Sequence, residues 1–120
     1  MATPEGKAKA QFLAAIHKVT AEYGWTLDLE SHAGESYSTP TLDITGSLYH
    51  PLRYGWGVPI AIELKRFDKK GKLTGRQRQT MRKKAAAGVA VFLIACPADI
   101  ESFVEWIKHG CKPRPFIEAS

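Results

Sequence analysis

The sequence predicts an α/β domain in which a central mixed β-sheet is flanked by helices, with the elements in the order α-β-β-β-α-β-α. Two kinds of pattern lead to this prediction. Three segments repeat apolar residues at three- and four-residue steps, as amphipathic helices do. Four other segments alternate apolar and polar residues or run continuously apolar, as half-buried and fully buried strands do. A chain of 120 residues holds one core, so we predict a single domain over residues 1–110 and a C-terminal tail over residues 111–120.

The first half is predicted to contain one helix and two strands. Thr3 followed by Pro4 offers an N-cap and a proline at the first helical position, and the apolar stripe that follows ends at a glycine. Residues 25–30 alternate apolar and polar side chains, which predicts a half-buried strand. Residues 42–45 predict a second, short strand, and Gly46 is predicted to end it and to begin an aromatic-rich loop.

The second half is predicted to contain two strands and two helices. Residues 58–65 predict the third strand, and residues 75–87 predict a helix with a thin apolar stripe that ends at Gly88. Residues 89–96 are continuously apolar, which is typical of a strand covered on both faces. Residues 97–108 then predict the last helix.

Composition limits the class of protein. The chain is 44% apolar and 24% charged, with no apolar run near the ~20 residues that a membrane helix needs. The N-terminus lacks the apolar core of a secretory signal, so we expect a cytoplasmic protein. Neither Cys96 nor Cys111 belongs to a CxxC pair, which favours a buried thiol at the first and an incidental one at the second over a zinc site or a disulfide.

Charge is distributed unevenly along the chain. Between Lys65 and Lys84 there are ten basic residues and one acid, a local net charge of +9, whereas the rest of the chain carries seven bases and eleven acids. Clustered lysines and arginines raise the local potential and release counterions when they meet phosphates. The segment therefore indicates a surface for a polyanion, with a solvated helix face as the alternative.

Two acids and a lysine are placed where they can converge on one cleft. In the third strand the large aliphatic residues share one face, and Glu63 and Lys65 lie on the other. A strand this apolar rarely carries two opposite charges unless they meet a metal, a substrate or each other. Asp43 has a similar context in the second strand. The alternatives are a surface salt bridge on an edge strand for Glu63 and Lys65, and a turn residue for Asp43.

This series of motifs resembles the PD-(D/E)XK nuclease superfamily and, within it, the virus-type replication-repair nuclease (VRR-NUC) domains. The resemblance covers roughly residues 7–96. The matching segments are Asp-Ile-Thr-Gly at 43–46, Ile-Glu-Leu-Lys-Arg at 62–66, Lys-Leu-Thr-Gly-Arg-Gln at 72–77 and Gly-Val at 88–89. Leu42 precedes Asp43, so the PD dipeptide itself is absent.

The resemblance implies a restriction-endonuclease-like core and a metal-dependent DNA endonuclease. It implies Mg²⁺, with Mn²⁺ as a substitute, held by the carboxylates of Asp43 and Glu63 and by the main-chain carbonyl of Leu64. Lys65 would orient or deprotonate the attacking water, or stabilise the transition state, and Gln77 would donate to the water or the phosphate. The implied catalytic set is therefore Asp43, Glu63, Lys65 and Gln77. Many relatives add a glutamate from the first helix, for which Glu5, Gln11 and Glu22 are the candidates here.

The resemblance also implies the partners. The expected partner is DNA, selected by local structure such as branches or junctions more than by sequence, and bound by a homodimer of viral (phage) or mobile-element origin in the host cytoplasm. The candidate phosphate contacts are Lys69, Lys70, Arg76, Arg78 and Arg82.

Two interpretations from other classes stay open. One is a non-catalytic DNA-binding protein on the same fold. The other is an RNA-binding or partner-docking module that uses the aromatics of the long loop, although such aromatics more often cover a sheet end or a dimer partner. These aromatic residues are Tyr49, His50, Tyr54 and Trp56. Three histidines have no recognisable ligand spacing and are predicted to be ordinary surface or core residues, namely His17, His32 and His109.

Overall fold

The computed structural model describes residues 4–32, 42–52, 57–67 and 74–113, with the side chains of the first helix described from Gly6 onward. Within these ranges the helices and strands follow one another in the predicted order, so the predicted α/β class is confirmed. The elements are α1 Pro4–Tyr23, β1 Thr26–Ser31, β2 Ile44–Tyr49, β3 Val58–Leu64, α2 Gly75–Ala86, β4 Ala90–Ile94 and α3 Pro97–Lys108. The predicted N-cap at Thr3 lies outside the described residues.

The strands form one mixed sheet in the order β1-β2-β3-β4. β2 is antiparallel to both β1 and β3, whereas β4 is parallel to β3. Parallel neighbours need a crossover connection, and α2 lies within the segment that joins β3 to β4. β3 is therefore a central strand, with its carboxyl end next to the carboxyl end of β4.

Helices cover both faces of the sheet, as the alternation in β3 predicts. Ile60 and Ile62 face the larger core cluster, which contains Phe12 from α1 and Phe103 from α3. Ala61 faces the other way. It belongs to a smaller cluster formed by Leu42, Ala61, Met81 of α2 and Val91 of β4.

Phe103 is the centre of the larger cluster. Its ring meets those of Phe12 and Phe92 edge to face, with centroids 5.1 and 4.6 Å apart. The side chain of Phe103 is buried, and edge-to-face pairs of this kind add to the burial of apolar area. The ring of Phe103 in α3 therefore contacts both α1 and β4.

The second strand is longer than predicted, because Gly46 lies inside it. Gly46 pairs with Leu29 of β1 and with Ile60 of β3. A Cβ atom added at Gly46 would lie 2.1 Å from the carbonyl oxygen of Asp28. The glycine thus permits a close approach of two backbones, which is the other common reason for glycine in a strand pattern. The prediction that Gly46 ends the strand and begins a loop is wrong.

The cysteines are free, as predicted, but their environments are not those predicted. Cys111 is 2% exposed and packs in the larger core cluster, whereas Cys96 is half-buried. Two hydrogen bonds turn the chain back after α3: the N–H of Cys111 donates to the carbonyl of Trp106, and the Trp106 indole donates to the carbonyl of Lys112. Cys111 is therefore a core residue and not an incidental one.

Among the described helices, none is long and apolar enough to cross a membrane.

Candidate active site

The residues of the predicted catalytic set meet at one corner of the sheet, at the carboxyl end of β3. Ile44 is paired with Ile62 in the antiparallel β2/β3 ladder. One step further along this register, Asp43 comes opposite Glu63. The amino end of α2 reaches the same corner, because Gln77 contacts the side chain of Glu63.

Asp43 is half-buried and lies one residue before β2, not on the strand as predicted. Its Oδ2 atom accepts a 2.8 Å hydrogen bond from the backbone N–H of Leu64. This bond holds the Asp43 carboxylate against the last residue of β3. Gly46 lies within β2, so Asp43 does not belong to a turn that ends at Gly46; it lies in a bend directly before the strand.

Glu63 is only 4% exposed, on the central strand of the sheet. It shares the α2 face with Ala61, because side chains two residues apart in a strand point the same way. A surface salt bridge on an edge strand is therefore the wrong description of this carboxylate. Burying a carboxylate costs several kcal/mol unless hydrogen-bond donors compensate it. One such donor is Nε2 of Gln77, 3.1 Å from Oε1 of Glu63.

Lys65 is held at both its backbone and its side chain. Its N–H donates to the carbonyl of Ile94, at 2.9 Å, which continues the β3/β4 pairing by one residue. Its ammonium Nζ donates to Oε1 of Gln77, also at 2.9 Å. The half-buried ammonium is therefore fixed at the amino end of α2, beside the position of Glu63.

Gln77 also caps the helix that carries it. Thr74 is the N-cap of α2, and its hydroxyl accepts from the N–H of Gln77 at 3.1 Å. In return, Oε1 of Gln77 accepts from the N–H of Thr74 at 3.0 Å, which completes a capping box. The amide orientation is self-consistent, since the oxygen meets two donors and the nitrogen meets a carboxylate oxygen. We call Glu63, Lys65, Thr74 and Gln77 the Gln77 cluster.

The first helix lies on the other face of the sheet, and only its amino-terminal half approaches this end. Lys9 donates a hydrogen bond to the Ser31 hydroxyl at the end of β1. Glu22 lies 13 residues further along α1, about 20 Å at 1.5 Å per residue. Glu22 is therefore not part of this corner. Gln11 is exposed, and the side chain of Glu5 lies outside the described residues.

Three of the candidate phosphate contacts lie on α2, where Arg76, Arg78 and Arg82 are all exposed. Arg76 directly precedes Gln77, so a basic side chain starts next to the cluster. The other two candidates, Lys69 and Lys70, lie outside the described residues.

His32 lies closer to the site than its sequence context suggests. Its N–H donates to the carbonyl of Asp43 at 2.8 Å, which extends the β1/β2 ladder by one pair beyond Ser31 and Ile44. Its ring Nε2 lies 2.7 Å from the Thr45 hydroxyl. The only sequence signal was its position one residue after an alternating strand. The other two histidines, His17 and His109, are exposed, as predicted.

The described aromatic loop residues lie away from the corner. Tyr49 is 40% exposed and pairs with Thr26, at the end of β2 opposite to Asp43. Tyr49 lies six positions after Asp43, which corresponds to about 20 Å along an extended strand. The ring of His50 packs edge to face against Trp25. His50 is thus part of the packing at the far end of the sheet, and Tyr54 and Trp56 lie outside the described residues.

The donor atoms at the corner suit a hard divalent cation. Among the described residues, no group of three or more His, Cys, Asp or Glu side chains lies close enough to hold a metal ion. Mg²⁺, however, is commonly held by one or two carboxylates, with water and substrate phosphate completing its coordination. Asp43, one residue before β2, and Glu63, on β3, offer two carboxylates in register, and the hydrogen bond from Leu64 uses one lone pair of Asp43. The residues present therefore fit Mg²⁺ or Mn²⁺.

Comparison of the chain with protein-family models, with curated proteins and with solved structures finds no match.

Proposed function

We propose that this protein is a metal-dependent DNA endonuclease that hydrolyses phosphodiester bonds at the Asp43–Glu63 corner. One observation carries the proposal. A carboxylate that is 4% exposed lies on a central strand, in register with the second acid Asp43, and bonds to the same amide that holds a lysine. Strongly desolvated ionisable groups that are clustered with a specific partner are typical of catalytic sites.

The metal ligands would be the carboxylates of Asp43 and Glu63 and the carbonyl oxygen of Leu64. When bound there, Mg²⁺ would supply Lewis-acid catalysis by offsetting the charge of the scissile phosphate and by making a water molecule more acidic.

Lys65 would supply a positive charge from the protein itself at the reacting phosphate. In hydrolysis, a water oxygen forms a bond to phosphorus and the bond to the leaving oxygen breaks, so negative charge accumulates on the phosphate oxygens. An ammonium at fixed position stabilises that charge without reorganisation. Gln77 holds Nζ of Lys65 at 2.9 Å and therefore positions it before substrate arrives.

The basic residues support DNA as the substrate. Arg76 lies next to Gln77, and more bases follow on α2. Such a surface attracts the phosphate backbone of any sequence. The homodimer, the viral origin and the host cytoplasm are proposed on the family resemblance alone.

The test is cleavage of supercoiled plasmid, linear duplex and a four-way junction by the purified protein in Mg²⁺, Mn²⁺ or EDTA. We expect cutting in either metal, none in EDTA, and the fastest cutting of the junction. Lys65→Ala should slow cleavage by about 10²-fold or more, as loss of a positioned catalytic group does.

The matched control is Lys18→Ala, an exposed lysine of α1 on the other face of the sheet. It should cut like the wild type. Metal-independent cutting, or equal cutting by both alanine variants, would contradict the proposed active site.

One observation favours the alternative of a non-catalytic DNA-binding protein. The Gln77 cluster is satisfied within the protein, since each side chain described in it has a hydrogen-bond partner, and it also caps α2. Such a cluster could serve to dock the helix. In that case DNA would be retained but uncut in every metal, by the wild type and by Lys65→Ala alike.

A further inference from the structure

The charge of α2 works against the stability of the helix itself. Gly75–Ala86 contains five basic residues and no acid. Arg76 and Arg78 lie in the first turn, where the positive end of the helix dipole disfavours cations. Arg78 and Arg82 are four residues apart, which places like charges side by side. No acidic residue within the helix offsets these charges.

Packing does not explain these residues either. Met81 is the buried residue of α2, so one large side chain holds the middle of the helix on the sheet. Only Lys83 and Lys84, in the last turn, have the favourable sign for the helix dipole. Local preferences that conflict with the fold are expected at functional surfaces. The exposed positive charge of α2 therefore indicates a surface for a polyanion outside the domain.

The bases lie on two different flanks of the helix. At 100° per residue, Arg76 and Lys83 point in nearly the same direction two turns apart, whereas Arg78 and Arg82 point to the other side. The first flank borders an open groove of about 290 Å³. The groove is lined by Arg76, Gln79, Thr80, Lys83 and Lys84, and we call it the α2 groove.

We propose that the α2 groove binds successive phosphates of one strand of duplex DNA as the strand leaves the candidate active site. The inference rests on the proposed function for the identity of the polyanion. Arg76 adjoins Gln77, so the groove begins at the catalytic corner. From Arg76 to Lys83 is seven residues, about 10 Å of helix, and one DNA strand carries a phosphate every ~3.4 Å of axial rise. The groove is therefore long enough to meet more than one phosphate, and the amide of Gln79 adds hydrogen-bond donors.

The basic residues of α2 have unequal roles, although each carries a positive charge. Lys83 and Lys84 contact phosphate, although they were not among the candidate contacts named from the sequence. The flank with Arg78 and Arg82 does not contact the same strand.

The experiment measures binding of a fluorescent 30-base-pair duplex by anisotropy, in EDTA so that no cleavage occurs, over a series of NaCl concentrations. The variant is Lys83→Gln with Lys84→Gln. Each lost phosphate contact lowers the slope of log affinity against log salt by about 0.9, so we expect a slope smaller by nearly 2 and at least ~10-fold weaker binding at low salt. Thermal melting should change little, because the loss of two favourable charges at the end of the helix dipole offsets the relief of repulsion between like charges.

The control is Lys7→Gln with Lys18→Gln, which removes the same charge from exposed positions of α1. It should keep the wild-type slope. An equal loss of slope in both double variants would overturn the groove, because the effect would then be one of net charge. A larger loss for Arg78→Gln with Arg82→Gln would also overturn it, since the other flank would be the contact. Tighter binding of an RNA duplex with the same change in slope would overturn DNA as the ligand.

Failure of the nuclease and failure of the groove give different results. A slope change without cleavage in any metal would support the groove and contradict the nuclease. Metal-dependent cleavage with an unchanged slope would overturn the groove and leave the nuclease.

Discussion

Replacing Gln77 by leucine removes the side chain that joins α2 to the end of β3. The substitution deletes the donor to Glu63 and the acceptor of both the Lys65 ammonium and the Thr74 N–H. The bond from the Gln77 N–H to the Thr74 hydroxyl survives, because it uses the backbone. Half of the capping box is therefore kept, and the variant tests the side-chain contacts.

The size of the effect follows from the burial of each partner. Thr74 is exposed and Lys65 is half-buried, so water can replace the hydrogen bonds that they lose. Their loss therefore lowers the free energy of unfolding only slightly. Glu63 is 4% exposed and loses a donor that water cannot replace. Removing one donor from a buried polar group costs about 1–3 kcal/mol, and the cost is larger when the group is charged. We expect Gln77→Leu to lower the free energy of unfolding by about 2–4 kcal/mol.

The assay is urea unfolding followed by circular dichroism, without metal or DNA. For a domain of this size the expected loss corresponds to roughly 4 °C of melting temperature per kcal/mol. The matched control is Gln79→Leu, the same substitution two positions along the same helix at an exposed site. Surface substitutions of that kind usually change stability by less than about 0.5 kcal/mol.

Equal stability of Gln77→Leu and Gln79→Leu would refute the reasoning. It would mean that Glu63 is adequately solvated or compensated without the amide. The burial of its carboxylate would then no longer distinguish this corner from ordinary surface chemistry.

Three further predictions follow from single contacts. Gly46→Ala should cost about 2 kcal/mol or more in urea unfolding, because its Cβ would lie 2.1 Å from the Asp28 carbonyl oxygen; Gly75→Ala, with nothing within 4 Å, should be neutral or slightly stabilising. Asp43→Asn keeps an acceptor for the backbone of β3, so it should melt like the wild type, bind DNA in EDTA and cleave about 10²-fold more slowly or worse in Mg²⁺; normal cleavage would remove Asp43 from the site. Phe103→Ala should lower the free energy of unfolding by about 3–5 kcal/mol, since the 1% exposed ring joins three elements, and a loss below about 1 kcal/mol would contradict that role.

The period of the apolar residues was enough to predict the elements and their order, because each helix and strand here buries a face of its own. The boundaries that failed depend on contacts between distant segments. Gly46 has the composition of a turn, and only the approach of the β1 backbone shows why glycine is needed within the strand. Cys111 follows the last helix, and its burial depends on hydrogen bonds of Trp106 that turn the chain back.

The candidate site was predictable to a similar depth. Glu63 and Lys65 share a face of a strand by period alone, Asp43 has a similar context in the second predicted strand, and the family resemblance adds Gln77. The bridging role of Gln77 was not predictable, because it combines a local capping box with contacts to residues 12 and 14 positions away. His32 was missed for the same reason, since its place beside Asp43 is fixed by the register of β1 on β2 and not by any spacing along the chain.

α2 connects the two proposals physically. Along its length it is held by Met81 in the middle and by Gln77 at the amino end, and it has no other buried residue. Gln77 positions Lys65, and it therefore also sets the position of the α2 groove relative to the candidate active site. A DNA strand bound in the α2 groove would contact the same helix that orients the Lys65 ammonium. Binding along α2 and catalysis at β3 should accordingly respond together to changes at Gln77, whereas changes at Lys83 should affect binding first.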